Sequence, residues 1–463
     1  MDKISIVSLG CPKNRVDSED LLKHLREEGF IHTPEPEDAD LVFVNTCGFI
    51  EDAKRESIEE ILKLKALKEK GKQLLVFGCL AQRYRDDLLT EIPEIDGLWG
   101  VGEEGKILEY CRNIKGRDEG FESGCAKAMS RPAASSSGVS SFAYLKIADG
   151  CNRGCTFCVI PSIRGPFRSM RPDDILRRAE SFILSGVREL VLVAQDIGNY
   201  GREFGGYTLP SLLKDISSIS GDFWIRLLYL YPTAISDELL SVVAYEPKIC
   251  KYLDIPLQHS EDRILRAMGR GGTRKWHKAE IEKIRESIPD ITLRTTLIVG
   301  FPGETEEDFD GLKDFVEEVR FERLGVFTYS REEGSAAYGM KGNVPKKIRE
   351  RRRDEIMRIQ SVISLEKNKA LVGKRFRALV DDVEGGITIG RLSSQAPEID
   401  GVVFLGDGGP DDPSQSKTYR LKPGDFRAVE IVNAFDYDLK GVLLDGPMKY
   451  EEGNRQSEIT DQR

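Results

Sequence analysis

The chain reads Cys151-Asn152-Arg153-Gly154-Cys155-Thr156-Phe157-Cys158 across one short segment, and this triplet of cysteines narrows the fold more than any other feature. The segment follows an apolar run, Ala143–Ile147, that predicts a buried strand. The cysteines therefore lie on a loop at the carboxyl end of a strand, which is the chemical face of barrel-like α/β folds. Gly150 and Gly154 permit the tight turns that converging thiols require.

Strand-like runs alternate with amphipathic stretches around this loop. The six predicted strands are Ala143–Ile147, Glu189–Val193, Trp224–Leu228, Tyr252–Ile255, Thr292–Val299 and Arg323–Phe327. Helical stretches such as Arg171–Ser185 separate them, which is the rhythm of a parallel sheet covered by helices. Residues 142–371, which end in one long charged helix, therefore predict a partial (βα)6 barrel.

A second cysteine triplet lies in residues 1–116, which predict a separate parallel α/β domain. Cys11, Cys47 and Cys79 each come just after a predicted strand: Ile4–Leu9, Leu41–Asn45 and Leu74–Phe77. The carboxyl ends of parallel strands share one sheet edge, where ligands bind, so these thiols are expected to converge. The alternative is three ordinary buried cysteines, which would more often fall inside the strands.

The remaining segments are simpler. Residues 117–141 contain a small, polar run and predict a linker. From 372 to 446, strand-like runs without helices predict a small all-β domain, and the polar residues 447–463 predict a disordered tail. The whole chain is thus α/β, with a small β-barrel at its end.

Three thiolates on one loop can hold three irons of a 4Fe-4S cluster and leave the fourth open, whereas most electron-transfer clusters use four cysteines. An open metal position allows a small molecule to coordinate. The alternatives are a zinc site, which usually has four ligands with two-residue gaps, or no metal at all.

The overall composition limits the class of protein and the role of its cysteines. The formal net charge is −10 and hydrophobic residues make up 40% of the chain, which is typical of a globular protein. No leader pattern and no long apolar run is present, so a cytoplasmic protein with no membrane partner is expected. Nine cysteines in such a chain indicate metal ligands or thiols rather than disulfides.

The Cys151–Cys158 pattern after a first barrel strand resembles the radical S-adenosylmethionine (SAM) superfamily. The resemblance implies that the open iron binds SAM and that the reduced cluster cleaves it to a 5′-deoxyadenosyl radical. It also implies SAM contacts from the cluster loop and from later strand ends, at Phe157, Gln195, Asp196, Thr295 and Gly300. A structural role for these five residues is the alternative reading.

Both triplets in one chain resemble the methylthiotransferases, in which Cys11, Cys47 and Cys79 would hold an auxiliary 4Fe-4S cluster and a TRAM barrel would follow the radical SAM core. One class of that family modifies a tRNA adenosine, and another modifies an aspartate of small-subunit ribosomal protein twelve. This chain resembles the second class more closely. The stretches that carry the resemblance are Leu9-Gly10-Cys11-Pro12-Lys13-Asn14, Pro256-Leu257-Gln258-His259 and Ala396-Pro397-Glu398-Ile399-Asp400-Gly401.

The resemblance implies a radical at the aspartate β-carbon, sulfur supplied at the auxiliary cluster and a methyl group from a second SAM. It requires an external electron donor and a sulfur source, and it assigns no catalytic residue beyond the cluster ligands. The charge of the last domain independently favours the ribosomal protein as substrate. Residues 372–446 hold thirteen acidic and nine basic side chains, and an acidic domain suits a basic ribosomal protein better than tRNA. A tRNA methylthiotransferase and a non-SAM electron-transfer protein remain the alternatives.

Overall fold

The computed structural model describes residues 3–118, 140–384, 387–406 and 421–445. The predicted tail, most of the predicted linker and Cys125 lie outside these ranges. Within the described part of the chain, no helix is long and apolar enough to cross a membrane.

An all-parallel sheet of order β2-β1-β3-β4-β5 forms the N-terminal domain. Its strands are β1 (Lys3–Ser8), β2 (Ile31–His32), β3 (Leu41–Thr46), β4 (Gln73–Gly78) and β5 (Gly97–Trp99). Its helices are α1 (Pro12–Glu27), α2 (Glu51–Leu64), α3 (Cys79–Arg83), α4 (Arg85–Glu91) and α5 (Glu104–Asp118). Separate hydrophobic clusters cover the two faces, so the central strand β3 is buried along its whole length.

A six-stranded parallel sheet of order β13-β12-β11-β10-β9-β6 forms the central domain and confirms the predicted partial (βα)6 barrel. Its strands are β6 (Phe142–Lys146), β9 (Glu189–Val193), β10 (Trp224–Leu227), β11 (Ile249–Asp254), β12 (Thr292–Val299) and β13 (Arg323–Thr328), and β7 (Ala148–Asp149) pairs with β8 (Arg168–Ser169) beside it. The helices are α6 (Ile160–Arg164), α7 (Pro172–Leu184), α8 (Leu209–Ser218), α9 (Asp237–Tyr245), α10 (Asp262–Ala267), α11 (Arg274–Ser287), α12 (Glu306–Val319) and α13 (Lys346–Lys369).

The C-terminal strands close into a small barrel of order β14-β15-β16-β18-β17, as the sequence predicts for its last domain. The strands are β14 (Arg375–Glu384), β15 (Ile387–Leu392), β16 (Val403–Gly406), β17 (Phe426–Ala434) and β18 (Leu439–Leu443). Alternate residues such as Val429 and Ile431 fill the interior, and closure leaves no long sheet edge exposed.

The small barrel packs directly on the central sheet. Leu190 and Leu192 of β9 face the outer helices, whereas Val191 and Val193 face the other way and pack with a cluster that includes Leu379 of β14. The same cluster contains residues from all three domains, among them Val16 of α1. The face of the sheet opposite its helices is therefore covered by the other two domains.

One carboxylate joins all three domains. Glu398, in the loop between β15 and β16, accepts hydrogen bonds from Arg15 of α1 at 2.6 Å and from the Tyr144 hydroxyl of β6 at 2.9 Å. Glu398 has a left-handed backbone with φ of 63°, which is uncommon for a residue other than glycine and is held here by its partners.

A buried histidine on α11 makes stability depend on pH. Burial, with a smaller contribution from the nearby Arg270 charge, lowers the pKa of His277 to about 4. Below the ordinary value of about 6.5, the unfolded chain takes up a proton that the folded chain does not, so stability falls as pH falls towards about 4. We expect His277 to account for a loss of about 2 kcal/mol between about pH 7.5 and about pH 5.

The measurement is the free energy of unfolding of the wild type and of His277→Gln at both pH values. The variant is expected to lose less stability on acidification than the wild type does. An equal loss in the two proteins would show that His277 does not carry this pH dependence.

Candidate metal centre and active site

The loop Cys151–Cys158 lies between β7 and α6 and is held by backbone contacts. The two-residue ladder of β7 with β8 closes one side, and the Thr156 amide donates to the Met268 carbonyl at 2.9 Å. All three cysteines are half-buried. The Arg153 amide points at Cys151 Sγ at 3.4 Å and the Ile160 amide at Cys158 Sγ at 3.5 Å, so two sulfurs already receive backbone hydrogen bonds.

Burial makes two thiols of this loop, those of Cys151 and Cys158, harder to ionise. Burial, with a smaller contribution from the neighbouring Cys155 and Cys151 charges, raises the pKa of Cys158 to about 12. Burial also raises the pKa of Cys151. Three anionic sulfurs so close together require a strongly positive centre, and a bound metal supplies this by replacing the thiol protons. The donor set therefore fits an iron–sulfur cluster.

The structure brings the second triplet together at one sheet edge. Cys11 follows β1, Cys47 follows β3 directly, and Cys79 opens α3 at the end of β4. Gly10 has φ of 89°, and a β-carbon placed on it would lie 2.9 Å from Cys47 Sγ, so only glycine allows this approach. The Asn14 side chain ties the edge together, because it donates to the carbonyls of Leu9 and Thr46, each at 3.1 Å.

The charges of these three thiols affect one another, which indicates that their sulfurs lie near each other. Burial, with smaller contributions from the charges of Cys11 and Cys79, raises the pKa of Cys47 to about 12. Burial raises the pKa of Cys79 as well, although the nearby Arg164 opposes the change. This triplet has the same chemistry as the first one and fits a second cluster.

The number of donors argues against zinc, because each triplet supplies three cysteines and a structural zinc site usually has four ligands. Among the residues that the structure describes, no three His, Cys, Asp or Glu side chains are grouped closely enough to hold one metal ion. A single Zn²⁺ draws each sulfur to about 2.3 Å. In a cubane each thiolate binds a different iron, so the three sulfurs stand farther apart.

The two triplets meet across the junction between the first two domains. Cys79 packs in one apolar cluster with Val159, the residue after Cys158, and with Ile163 of α6. Phe49 and Val101 of the N-terminal domain complete this cluster. Apolar side chains therefore line part of the junction at which the two groups of thiols lie.

A polar network at the mouth of the barrel contains the predicted SAM contacts Gln195 and Asp196. The Arg153 Nε donates to Asp196 Oδ2 at 2.7 Å, and the Gln195 amide donates to Asp149 at 3.1 Å. Four buried atoms of this network have no hydrogen-bond partner within the described structure, namely Arg153 Nη2, Gln195 Oε1, Asp196 Oδ1 and Asn199 Oδ1. Buried polar atoms are nearly always paired, so this mixture of donors and acceptors fits a zwitterionic ligand such as SAM.

The other three predicted SAM contacts, Thr295, Gly300 and Phe157, are held by backbone bonds or by packing. The Thr295 hydroxyl is fully buried and bonded to the backbone of Ile255 and Leu257, at 2.9 and 3.2 Å, so it joins the middle of β12 to the segment that follows β11. Gly300 follows β12 with φ of 74°, and Arg349 carbons occupy the space where its β-carbon would be. Phe157 packs against apolar side chains such as Met268. This packing holds the loop Cys151–Cys158 in place.

Three family descriptions match successive parts of the chain. Residues 3–100 match an uncharacterized protein family, UPF0004, residues 145–316 match the radical SAM superfamily, and residues 372–444 match the TRAM domain. The matches follow the order of the three sheets.

Curated relatives align over almost the whole chain. The ribosomal protein uS12 methylthiotransferase RimO of Thermodesulfovibrio yellowstonii is 51% identical over 96% of this chain and 100% of its own length. The chain belongs to the RimO family of methylthiotransferases. The RimO of a Thermoanaerobacter species is 45% identical over 95% of this chain and 100% of its own length. The chain is therefore a radical SAM transferase, and its family implies a 4Fe-4S cluster and SAM.

Solved structures share the fold at low sequence identity. TsrM from Kitasatospora setae, a radical SAM methyltransferase with cobalamin and a [4Fe-4S] cluster bound, has a TM-score of 0.52 and 13% identity. The alignment covers 83% of this chain and 81% of TsrM. This likeness confirms the radical SAM architecture of the RimO-family chain.

Sequence reasoning missed several residues of this RimO-family site. Arg153 lies between Cys151 and Cys155 in the sequence. Its contacts become visible only in the structure, where its guanidinium stacks on Tyr231, 3.8 Å from the ring centroid, and reaches Asp196. Tyr229 and Gln258 follow β10 and β11 with φ of 67° and 77°. Backbone strain of this kind concentrates at functional sites, but no local pattern predicts it.

Proposed function

We propose that this enzyme transfers a methylthio group to the β-carbon of an aspartate in ribosomal protein uS12. It would use two 4Fe-4S clusters, one held by Cys151, Cys155 and Cys158 and one by Cys11, Cys47 and Cys79. The observation that carries the proposal is the packing of Cys79 against Val159, because it brings two thiol triplets to one junction.

The chain's own residues would hold the reacting groups and keep water away from them. When bound, the clusters and SAM supply the adenosyl radical, the sulfur and the methyl group. Arg153, Gln195, Asp196 and Asn199 would bind the charged and hydroxyl groups of SAM with their unpaired atoms. Phe49, Val159 and Ile163 would shield the space between the clusters from solvent.

Charge supports a basic protein as the substrate. The domain over 372–446 carries more acidic than basic side chains. One of its arginines, Arg391, is buried and paired with Asp381 at 2.6 Å and with Glu189 at 2.5 Å, so it offers no charge to a nucleic acid. Opposite potentials would speed the encounter with a basic ribosomal protein. The relatives named as uS12 methylthiotransferases support the same substrate.

Domain limits and further partners are part of the proposal. We place the auxiliary-cluster domain at 1–116, the linker at 117–141, the radical SAM core at 142–371, the TRAM barrel at 372–446 and a C-terminal tail at 447–463. An external reductant and a sulfur source would be needed, because cleaving SAM requires a cluster of low potential.

The test is anaerobic reconstitution followed by reaction with dithionite, SAM and sulfide. One tube holds a uS12 peptide with the target aspartate, a second holds the same peptide with alanine at that position, and a third holds unmodified tRNA. We expect mass spectrometry to show methylthio in place of hydrogen on the first peptide alone. Modification of tRNA alone would overturn the substrate assignment and favour the tRNA class.

A further inference from the structure

Arg164, the last residue of α6, reaches from the radical SAM core into the N-terminal domain. Its side chain is almost wholly buried, at 2% exposure. Its Nη1 donates to Asp149 at 3.0 Å, on the strand that precedes the Cys151 loop. Its Nη2 lies 2.7 Å from Asn14 Oδ1, 2.8 Å from Asp17 Oδ2 and 3.6 Å from Cys79 Sγ.

The ion pairs of the Arg164 guanidinium offset the free-energy cost of burying it, with no contribution needed from the Cys79 sulfur. Asp17 and Asp149 both pair with Arg164, and Lys146 pairs with the same two carboxylates. Two cations and two carboxylates therefore balance each other, as a buried ion-pair network requires. The contact with Cys79 is additional, and it directs a charged N–H group at a sulfur of the other domain.

The state of Cys79 determines what this contact does. As a thiol, Cys79 can donate to Asn14 Oδ1, which lies 3.5 Å away. As a thiolate ligand it has no proton and can only accept, so Arg164 becomes its charged partner. Positive charge and hydrogen bonds at ligand sulfurs favour the reduced form of an iron–sulfur cluster.

We propose that Arg164 is a positioning residue of the auxiliary cluster: it hydrogen-bonds the Cys79 thiolate from the neighbouring domain and raises the potential of that cluster. The inference rests on the proposed function, because it requires a cluster at Cys11, Cys47 and Cys79. It implies that the potential depends on docking of the N-terminal domain against α6.

The test uses the full chain with Cys151→Ala, Cys155→Ala and Cys158→Ala, so that only the auxiliary cluster is formed. Arg164→Met and Arg164→Gln are added separately to this background. The matched control is Arg178→Met, because Arg178 pairs with Asp20 at 2.6 Å across the same junction. Within the described residues, Arg178 makes no hydrogen bond to a cysteine sulfur. The readouts are iron content, the electron paramagnetic resonance spectrum and the midpoint potential.

We expect Arg164→Met to lower the midpoint potential and change the spectrum, whereas Arg178→Met leaves both unchanged. Equal potentials in the Arg164 and Arg178 variants would overturn the role of Arg164 while leaving the proposed function intact. Absence of iron from the background chain itself would overturn both. If Arg164→Met does not fold, Arg164→Gln decides, because glutamine keeps a polar N–H group in the buried site and removes the charge.

Discussion

Replacing Cys79 by alanine is expected to abolish methylthio transfer while SAM cleavage continues. Cys79 ends the strand edge where the second triplet converges, and its sulfur is buried among Val159, Ile163 and Phe49. Loss of one of three ligands would disassemble the auxiliary cluster but leave the Cys151–Cys158 loop intact. The measurements are 5′-deoxyadenosine release and product mass on the uS12 peptide.

Cys111→Ala is the matched control for this prediction. Cys111 is a fully buried cysteine of the same domain, and it lies on α5 in a different hydrophobic cluster. We expect this variant to retain methylthio transfer. Full transfer by Cys79→Ala would contradict a ligand role for Cys79.

Removing the buried carboxylate Glu189 is expected to cause the largest loss of stability. Glu189 on β9 is fully buried and lies 2.5 Å from Arg226 Nε and 2.5 Å from Arg391 Nη1. Burial alone would raise the pKa of Glu189, but the two guanidinium groups hold it below its usual range. Glu189→Gln leaves both cations without this charge, which we expect to cost about 3–5 kcal/mol.

Denaturant unfolding of Glu189→Gln, compared with Glu238→Gln, measures this effect. Glu238 also pairs with a cation, Lys214 at 3.1 Å, but both side chains are about half exposed. Such surface pairs contribute only about 0–1 kcal/mol. A loss from Glu189→Gln as small as that from Glu238→Gln would show that the buried network is not essential to the domain junction.

The main elements of the fold and both cysteine triplets were predictable from the sequence. In the N-terminal sheet, each of the three strands that precede a cysteine is an apolar run. Parallel strands bring their carboxyl ends to one edge of the sheet, so the three cysteines were expected to converge. The start of α1 was less predictable. The helix begins at Pro12, directly after Cys11, because proline is favoured in a first turn that needs no amide donor.

Contacts between distant parts of the chain could not be predicted. Strand β15 has a weak local signal, because Ile387–Leu392 includes Gly390 and is buried only by its partner strands. The pairing of Arg391 with Glu189, and of Glu398 with Arg15, joins residues that are far apart in sequence. A local pattern shows that these residues are charged, but only the packed domains show which charges meet.

Iron content after anaerobic reconstitution tests the two-cluster claim most directly. The wild-type chain is expected to hold about eight irons, and the chain with Cys151→Ala, Cys155→Ala and Cys158→Ala about four. The chain with Cys11→Ala, Cys47→Ala and Cys79→Ala should also hold about four. A wild-type chain that holds only about four irons, all lost with Cys151, Cys155 and Cys158, would contradict the account.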